Sequence, residues 1–402
     1  MTLADKFSQR AQQMRGSEIR RLFKISMRPG VISFAGGLPD PGSFPAEEVA
    51  RVSGQLLRDQ GERMLQYGPA RGLDVLIQAV AQKMAARGIS VTPEEILITS
   101  GAQQALDLAG KVLLDPDDIV LVENPSFIGA LGAFRNYGCK LVGVAMDDDG
   151  LDTDALVAVL EGVREQAAPV KFLYTIPNFH NPAGLTLTQT RRDRLVDIAR
   201  EYDLLILEDD AYGELWFEGG LESTKPVKAR DKDERVMYAG SFSKLVSPGI
   251  RLGWLAASGE IIDKCEMAKQ MMDVCPSPLT QAVVAELWNS GFLDRHVEDL
   301  RGVYKSRRDA MLSALEAHMP RGVEWTRPHG GFYVWITLPS GVDARALLDI
   351  ALDNQVAYVI GSAFFADDSG QNTLRVSFCH ETEEVIQEGI ARLGRAFQDA
   401  FG

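Results

Sequence analysis

Leu204-Leu205-Ile206-Leu207-Glu208-Asp209-Asp210-Ala211-Tyr212 is the stretch on which the fold turns. Four consecutive aliphatic residues followed at once by three acids read as a strand with apolar neighbours on both faces that runs directly into polar chemistry. Continuous apolar runs, as opposed to alternating ones, belong to parallel sheets covered by helices on either side. Working outward, Ile96 to Thr99, Ile119 to Val122 and Phe172 to Ile176 are further short apolar runs, bounded by turn or charged residues and separated by stretches of helical period. The alternation predicts an α/β domain with a mostly parallel sheet and helices on both faces.

The pattern changes near Pro278. From there to Met319 the chain is long, mixed in charge and almost free of proline, which predicts one or two long helices leaving the first domain. Strand-like Gly331 to Leu338, helix-like Ala344 to Asn354, strand-like Thr373 to Phe378 and a last helix with Ile386, Ile390, Leu393 and Phe397 on its apolar face predict a smaller α+β domain. The expected division is an N-terminal segment 1–38, a large domain 39–285 and a small domain 286–402.

Composition removes several classes of function. The 402 residues carry 56 acidic against 42 basic side chains, a formal net charge of −14, which disfavours nucleic acid or an anionic membrane as the main partner. The opening MTLADKFSQRAQQMRGS lacks the apolar core of a signal peptide, and no later run approaches the about 18 uncharged apolar residues of a membrane span. A soluble, cytoplasmic protein is expected. Cys139, Cys265, Cys275 and Cys379 show no CxxC spacing and the five histidines form no HExxH, so neither a disulfide framework nor a metal site is expected.

The local signal richest in chemistry is Ser241-Phe242-Ser243-Lys244-Leu245-Val246-Ser247-Pro248-Gly249-Ile250-Arg251-Leu252-Gly253, after the apolar Val236-Met237-Tyr238. Lys244 offers an amine for imine formation, and Ser241, Ser243 and Arg251 are groups suited to a phosphate. Taken alone, the same letters also describe an exposed lysine in a loop. The acids of the opening stretch sit where α/β sheets bind ligands, at the C-terminal edge of a parallel strand, although Asp209 or Asp210 could equally cap a following helix. Ile96 to Leu106 reads as strand, tight turn and helix, and backbone N–H groups at such a helix start, with its dipole, seat a phosphate. In Asn372-Thr373-Leu374-Arg375-Val376-Ser377-Phe378 an arginine lies inside an apolar strand-like run, suited to a carboxylate in a bidentate fork or, alternatively, facing water from an edge strand.

Together, and in this order along the chain, these motifs resemble those of fold type I pyridoxal-phosphate (PLP) aminotransferases, most closely the branch of 2-aminoadipate and kynurenine aminotransferases. The resemblance runs from Ser17 to the C-terminal helix. It implies a large domain built on a seven-stranded type of sheet that binds PLP, a Schiff base at Lys244, and Lys244 as the carrier of the proton moved from substrate Cα. It also implies that Asp209 pairs with a protonated pyridine nitrogen and that Tyr212 hydrogen-bonds the cofactor's phenolic oxygen. Asn181, in Pro177-Asn178-Phe179-His180-Asn181-Pro182-Ala183-Gly184, is implied as a donor to the same oxygen, and Phe127 as the ring stacked on the pyridine. The family usually has serine or glycine where this chain has Ala102, so backbone donation at Ala102 and Gln103 is implied and a hydroxyl contact is lost. Tyr67, in Leu65-Gln66-Tyr67-Gly68-Pro69, matches a tyrosine that reaches the neighbouring subunit's cofactor, which implies a homodimer with a composite site.

For the substrate, the resemblance implies Arg375 on the α-carboxylate, with Asn181, Tyr67 and the backbone of Gly37 bordering the pocket. Ser17-Glu18-Ile19-Arg20-Arg21-Leu22-Phe23-Lys24 resembles the branch's mobile N-terminal helix, where Arg20 could meet a second carboxylate of 2-aminoadipate or glutamate. Aromatic and aliphatic donors stay open, and 2-oxoglutarate is the expected acceptor. A PLP-dependent lyase or decarboxylase would share Lys244, Asp209 and Arg251. A PLP-sensing regulator would need a DNA-binding unit, for which the 16 residues before Ser17 are too few.

Overall fold

The computed structural model describes residues 6–13, 30–164, 168–367 and 369–401. At its centre is an eight-stranded sheet in the spatial order Ile96–Thr99, Gly253–Ala256, Val236–Ser241, Leu205–Asp210, Val170–Thr175, Ile119–Asn124, Lys140–Asp147 and Gly150–Leu151. The five strands from Val236–Ser241 to Lys140–Asp147 are mutually parallel, and Gly253–Ala256 pairs antiparallel with both of its neighbours. Seven strands make the sheet of the expected type; the eighth, Gly150–Leu151, is a two-residue hairpin arm.

Continuous apolar runs are used here as a doubly covered sheet requires. Val120, Phe172, Leu207 and Met237 pack with Leu106, Leu108, Phe134 and Ile262 on one face. Their neighbours Ile119, Leu121, Leu173 and Ile206 pack with Leu156, Leu160, Leu195 and Ile198 on the other. All these side chains are fully buried or nearly so, and each large one contributes about 1.5–3 kcal/mol of burial free energy. The strand expected at Leu204 to Leu207 begins one residue later and carries the acids inside it, because pairing continues through Glu208↔Tyr238, Asp209↔Ala239 and Asp210↔Gly240. A capping role for these acids is thereby ruled out, since the next helix starts only at Gly220.

Two helices, Pro278–Asn289 and Phe292–His318, lead to a four-stranded antiparallel sheet in the order Glu324–Trp325, Tyr333–Thr337, Thr373–Ser377 and Val359–Ile360. The final helix, Glu383–Phe401, buries Ile386, Ile390, Leu393 and Phe397 completely, as its periodicity predicts. Ile32–Ser33 pairs with Val356–Ala357 in a separate two-stranded parallel sheet, which ties the segment that leads to Gly37 to the stretch just before Val359–Ile360. Among the described residues no helix is long and apolar enough to cross a membrane.

The parallel order reverses between Ile119–Asn124 and Val170–Thr175: the chain proceeds from the first of these to one side of the sheet and from the second to the other. Such a switch opens a crevice at the carboxyl ends of the strands. Phe127 follows one of the two strands and Asn181 the other.

Candidate active site

Pleating divides the three acids at the end of Leu205–Asp210. Glu208 accepts from the backbone N–H groups of Val227 and Lys228 at 2.9 Å each. Asp210 accepts from Arg87 Nη1 at 2.6 Å, Tyr238 Oη at 2.9 Å and Asn178 Nδ2 at 3.0 Å. Burial pushes Asp210 upward, but the Arg87 guanidinium and these donors outweigh it and hold the carboxyl below its ordinary range. Asp209, with its side chain on the opposite side of the pleat, accepts from Tyr174 Oη at 2.8 Å through Oδ2. Its Oδ1 is buried with no hydrogen-bond partner among the described residues. Burial raises Asp209 to about 7, with Asp210 and Glu123 adding to the rise and the Tyr174 bond opposing it.

Lys244 lies in the turn after Val236–Ser241. Its Nζ donates to the carbonyl of Gly37 at 2.9 Å and sits 5.5 Å from the ring centre of Phe332. Burial drives the amine down to about 8; the nearby Cys379 opposes this, and Arg375 and Arg251 add to it. The same turn presents Ser241 and Ser243, whose backbone N–H donates to Ser241 Oγ at 3.1 Å. Arg251, in a left-handed conformation, donates through Nη2 to the Ser100 carbonyl at 2.8 Å. Ser100 and Gly101 lead into the helix Ala102–Leu113, so Arg251 lies beside the free N–H groups of that helix start. Close packing makes this possible: a Cβ on Gly253 would come within 2.8 Å of the Ala102 nitrogen. Gln103 donates through Nε2 to the Gly129 carbonyl, and Gly129 is packed against the ring of Phe127, so those two predicted residues are neighbours.

Arg375 is no edge-strand arginine. Its strand is flanked on both sides, the side chain is 2% exposed, and Nη1 donates to Asn181 Oδ1 at 2.8 Å while Nη2 donates to the Ala35 carbonyl at 2.9 Å. The guanidinium lies 4.2 Å from the ring centre of Tyr333 and 4.9 Å from that of Phe364, and Nε has no partner among the described residues. Since Asn181 accepts through its oxygen, its amide N–H groups are left to serve a ligand oxygen. Tyr333 closes the circuit: its hydroxyl lies 3.2 Å from that of Tyr212 and against the backbone of Gly37, where no Cβ would fit.

Lys244, Gly37, Tyr212, Asn181 and Arg375 are therefore brought together, Asp209 lies three residues from Tyr212 along the chain, and Ser241 and Arg251 gather with Ala102 and Gln103 at the adjoining helix start, with Ser243 bonded to Ser241. Tyr67 is not part of this cluster; its side chain is 79% exposed. Arg20 and the helix expected around it lie outside the described residues. Tyr174 and Tyr333 were not singled out from sequence, although a tyrosine in a buried strand always needs a partner for its hydroxyl, which was a usable signal. The close approach of His180 Nε2 to Glu123 Oε2, at 3.0 Å and one residue before Asn181 in the chain, was also missed.

PLP fits these residues. A phosphate suits the helix start beside Arg251 and the two serines. A protonated ring nitrogen would supply a donor for Asp209 Oδ1, whose unpaired burial costs about 1–3 kcal/mol. An aldehyde suits an amine already lowered towards neutrality.

Comparison with known proteins agrees with this chemistry. A model of the aminotransferase class I and II family matches residues 30–393. Aromatic-amino-acid aminotransferase 1 of Thermococcus litoralis is 44% identical, over 98% of this chain and 94% of its own. The 2-aminoadipate transaminase of Thermus thermophilus is 43% identical, over 99% and 98%. The crystal structure of Pyrococcus horikoshii kynurenine aminotransferase, in complex with PMP, superposes with a TM-score of 0.96 at 41% identity, covering 100% of this chain and 98% of that one. With a lysine, an acid and a buried arginine arranged as above and similarity along nearly its whole length, the chain belongs to the class I and II aminotransferases, fold type I enzymes that depend on pyridoxal phosphate.

Proposed function

We propose that the enzyme accepts the amino group of an L-amino acid, with 2-aminoadipate, glutamate and aromatic or aliphatic amino acids as the candidate donors, and returns it to a 2-oxo acid such as 2-oxoglutarate in a ping-pong cycle. The observation that carries this reading is that one cluster of contacting residues holds both the Lys244 amine and the buried Arg375 guanidinium, joined through Gly37, Tyr333 and Tyr212. Relatives that act on aromatic amino acids and on 2-aminoadipate support the range of donors.

Bound PLP supplies an electron sink for the electrons left when a bond to substrate Cα breaks. The chain does the rest. Arg375 grips the α-carboxylate and so fixes which Cα bond stands ready to break, while Asn181 holds the guanidinium and offers its amide to the ring oxygen beside Tyr212. Lys244 Nζ takes the Cα proton and returns it. Asp209 Oδ1 would hold the ring nitrogen, Phe127 would cover the ring face, and Ala102, Gln103, Ser241, Ser243 and Arg251 would hold the phosphate.

The active unit in this reading is a homodimer, with Tyr67 of each chain completing the other's site, and the chain divides into an N-terminal segment 1–38 that joins the small domain and the substrate pocket, a large cofactor-binding domain 39–285 and a small α+β domain 286–402. A half-reaction screen tests the donor range: each amino acid is added to the loaded enzyme and the absorbance of the cofactor is followed as it converts to pyridoxamine phosphate. Conversion by 2-aminoadipate and by aromatic amino acids is expected, and no conversion by any L-amino acid would refute the proposal. Arg375→Lys, which keeps the charge but loses the fork, should raise KM for every donor by at least about tenfold; an unchanged KM removes Arg375 from the carboxylate.

A further inference from the structure

Tyr174 lies in the centre of the sheet, on Val170–Thr175, in register with Leu207 of the neighbouring strand. It is fully buried, and its ring packs edge-on against Phe134 at 5.5 Å. From there the ring reaches two residues along the neighbouring strand, and its hydroxyl meets Asp209 Oδ2 at 2.8 Å. A phenol so placed has one job open to it, because the nearest charges are the carboxylates of Asp209 and Glu123, and burial together with these acids keeps its proton on well beyond the ordinary range.

A carboxylate with one free oxygen can rotate about its last torsion and present either oxygen to a ligand. Here one oxygen is already engaged by a donor that cannot leave, and the other is buried and unpartnered among the described residues. We propose that Tyr174 is a positioning residue for the cofactor: by holding Oδ2 it fixes the Asp209 rotamer with Oδ1 aimed at the ring nitrogen, so that the ion pair forms without the carboxylate having to reorient. Tyr174 itself touches neither substrate nor cofactor. A second effect has the same sign. The hydroxyl bond favours the charged carboxylate against burial and against Asp210 and Glu123, and the charged form is the one a protonated nitrogen pairs with.

The inference rests on the assignment of Asp209 to the ring nitrogen, and the experiment separates the two. Cofactor-free wild type, Tyr174→Phe and Asp209→Asn are titrated with PLP and with the analogue that has CH in place of the ring nitrogen, and dissociation constants are read from absorbance. Phe keeps the ring and its contact with Phe134, so only the hydroxyl is lost. Tyr174→Phe should weaken PLP about tenfold, the effect of one hydrogen bond to a charged group, and weaken the analogue less than about twofold. Equal weakening of both ligands would reduce Tyr174 to packing, and no weakening of either would also overturn the proposal. Asp209→Asn reports on the underlying assignment: if it abolishes the preference for PLP over the analogue while Tyr174→Phe leaves that preference intact, Asp209 stands and Tyr174 falls. If Asp209→Asn leaves the preference unchanged, the assignment itself is wrong and both fall.

Discussion

Lys244 and Asp209 are the two residues whose protonation differs most usefully from that of an exposed counterpart, and both shifts originate in burial. For Lys244 the amine is driven down to about 8. Capture of PLP by the cofactor-free protein needs the uncharged amine, so its rate should rise about tenfold per pH unit below 8 and level off above it. A rate that keeps rising towards pH 10 in stopped-flow absorbance would show an ordinary lysine, and Lys244→Ala should show no capture at all. For Asp209 the shift is upward, from 3.8 to about 7. Between those values the folded cofactor-free protein binds more protons than the unfolded chain, so the stabilisation is complete below about pH 4 and is lost as pH rises through 7. Glu208, also raised to about 7, acts in the same window. The thermal midpoint of the cofactor-free protein should therefore fall between pH 4.5 and 7.5, and Asp209→Asn should make that fall shallower while leaving the part due to Glu208.

At the scale of elements, the phosphate seat is a product of close approach. The strand Gly253–Ala256 passes so near the start of Ala102–Leu113 that a Cβ on Gly253 would lie 2.7 Å from the Gly240 carbonyl and 2.8 Å from the Ala102 nitrogen. These are backbone atoms that cannot swing aside. Gly253→Ala should push the helix start away from Arg251, destabilising the protein by about 1–3 kcal/mol and weakening PLP about tenfold. Pyridoxal, which lacks the phosphate, should bind the variant and the wild type alike in a parallel titration, and equal losses for both aldehydes would place the damage elsewhere. The pleat of Leu205–Asp210 works on the same scale, sending Glu208 and Asp210 to structural partners and leaving Asp209 with one oxygen on Tyr174 and the other without a partner among the described residues.

For the whole molecule, the surface around Tyr67 is unusual. Leu65, Tyr67, Met271 and Val274 are 75%, 79%, 85% and 53% exposed. The two segments that carry them touch, with the Gly68 N–H donating to Cys275 Sγ at 3.4 Å. So much exposed apolar side chain beside a predicted cross-subunit residue suits the homodimer proposed above. Sedimentation should give twice the 44.1 kDa chain mass. Met271→Asp should shift the protein towards monomer, with specific activity falling on dilution. A Met271→Asp enzyme that is monomeric and fully active would show that Tyr67 serves no neighbouring site.

Sequence by itself determined the doubly covered sheet, because a strand buried on both faces has to be apolar at every position, and that is visible without coordinates in Leu204 to Leu207 and Ile96 to Thr99. It also put Lys244 forward as the candidate amine, since Lys244 with its flanking serines and Arg251 are close in the chain. Tertiary structure alone decided which of three adjacent acids is left with a free oxygen, because that depends on strand pairing that carries Glu208, Asp209 and Asp210 into the sheet and on a tyrosine 35 residues away. It likewise decided that Tyr333 and Gly37 lie against each other and that Arg375 is clamped by Asn181, 194 residues distant. Local periodicity records the burial of each residue, whereas a hydrogen bond across the fold needs two side chains whose meeting leaves no trace in either neighbourhood.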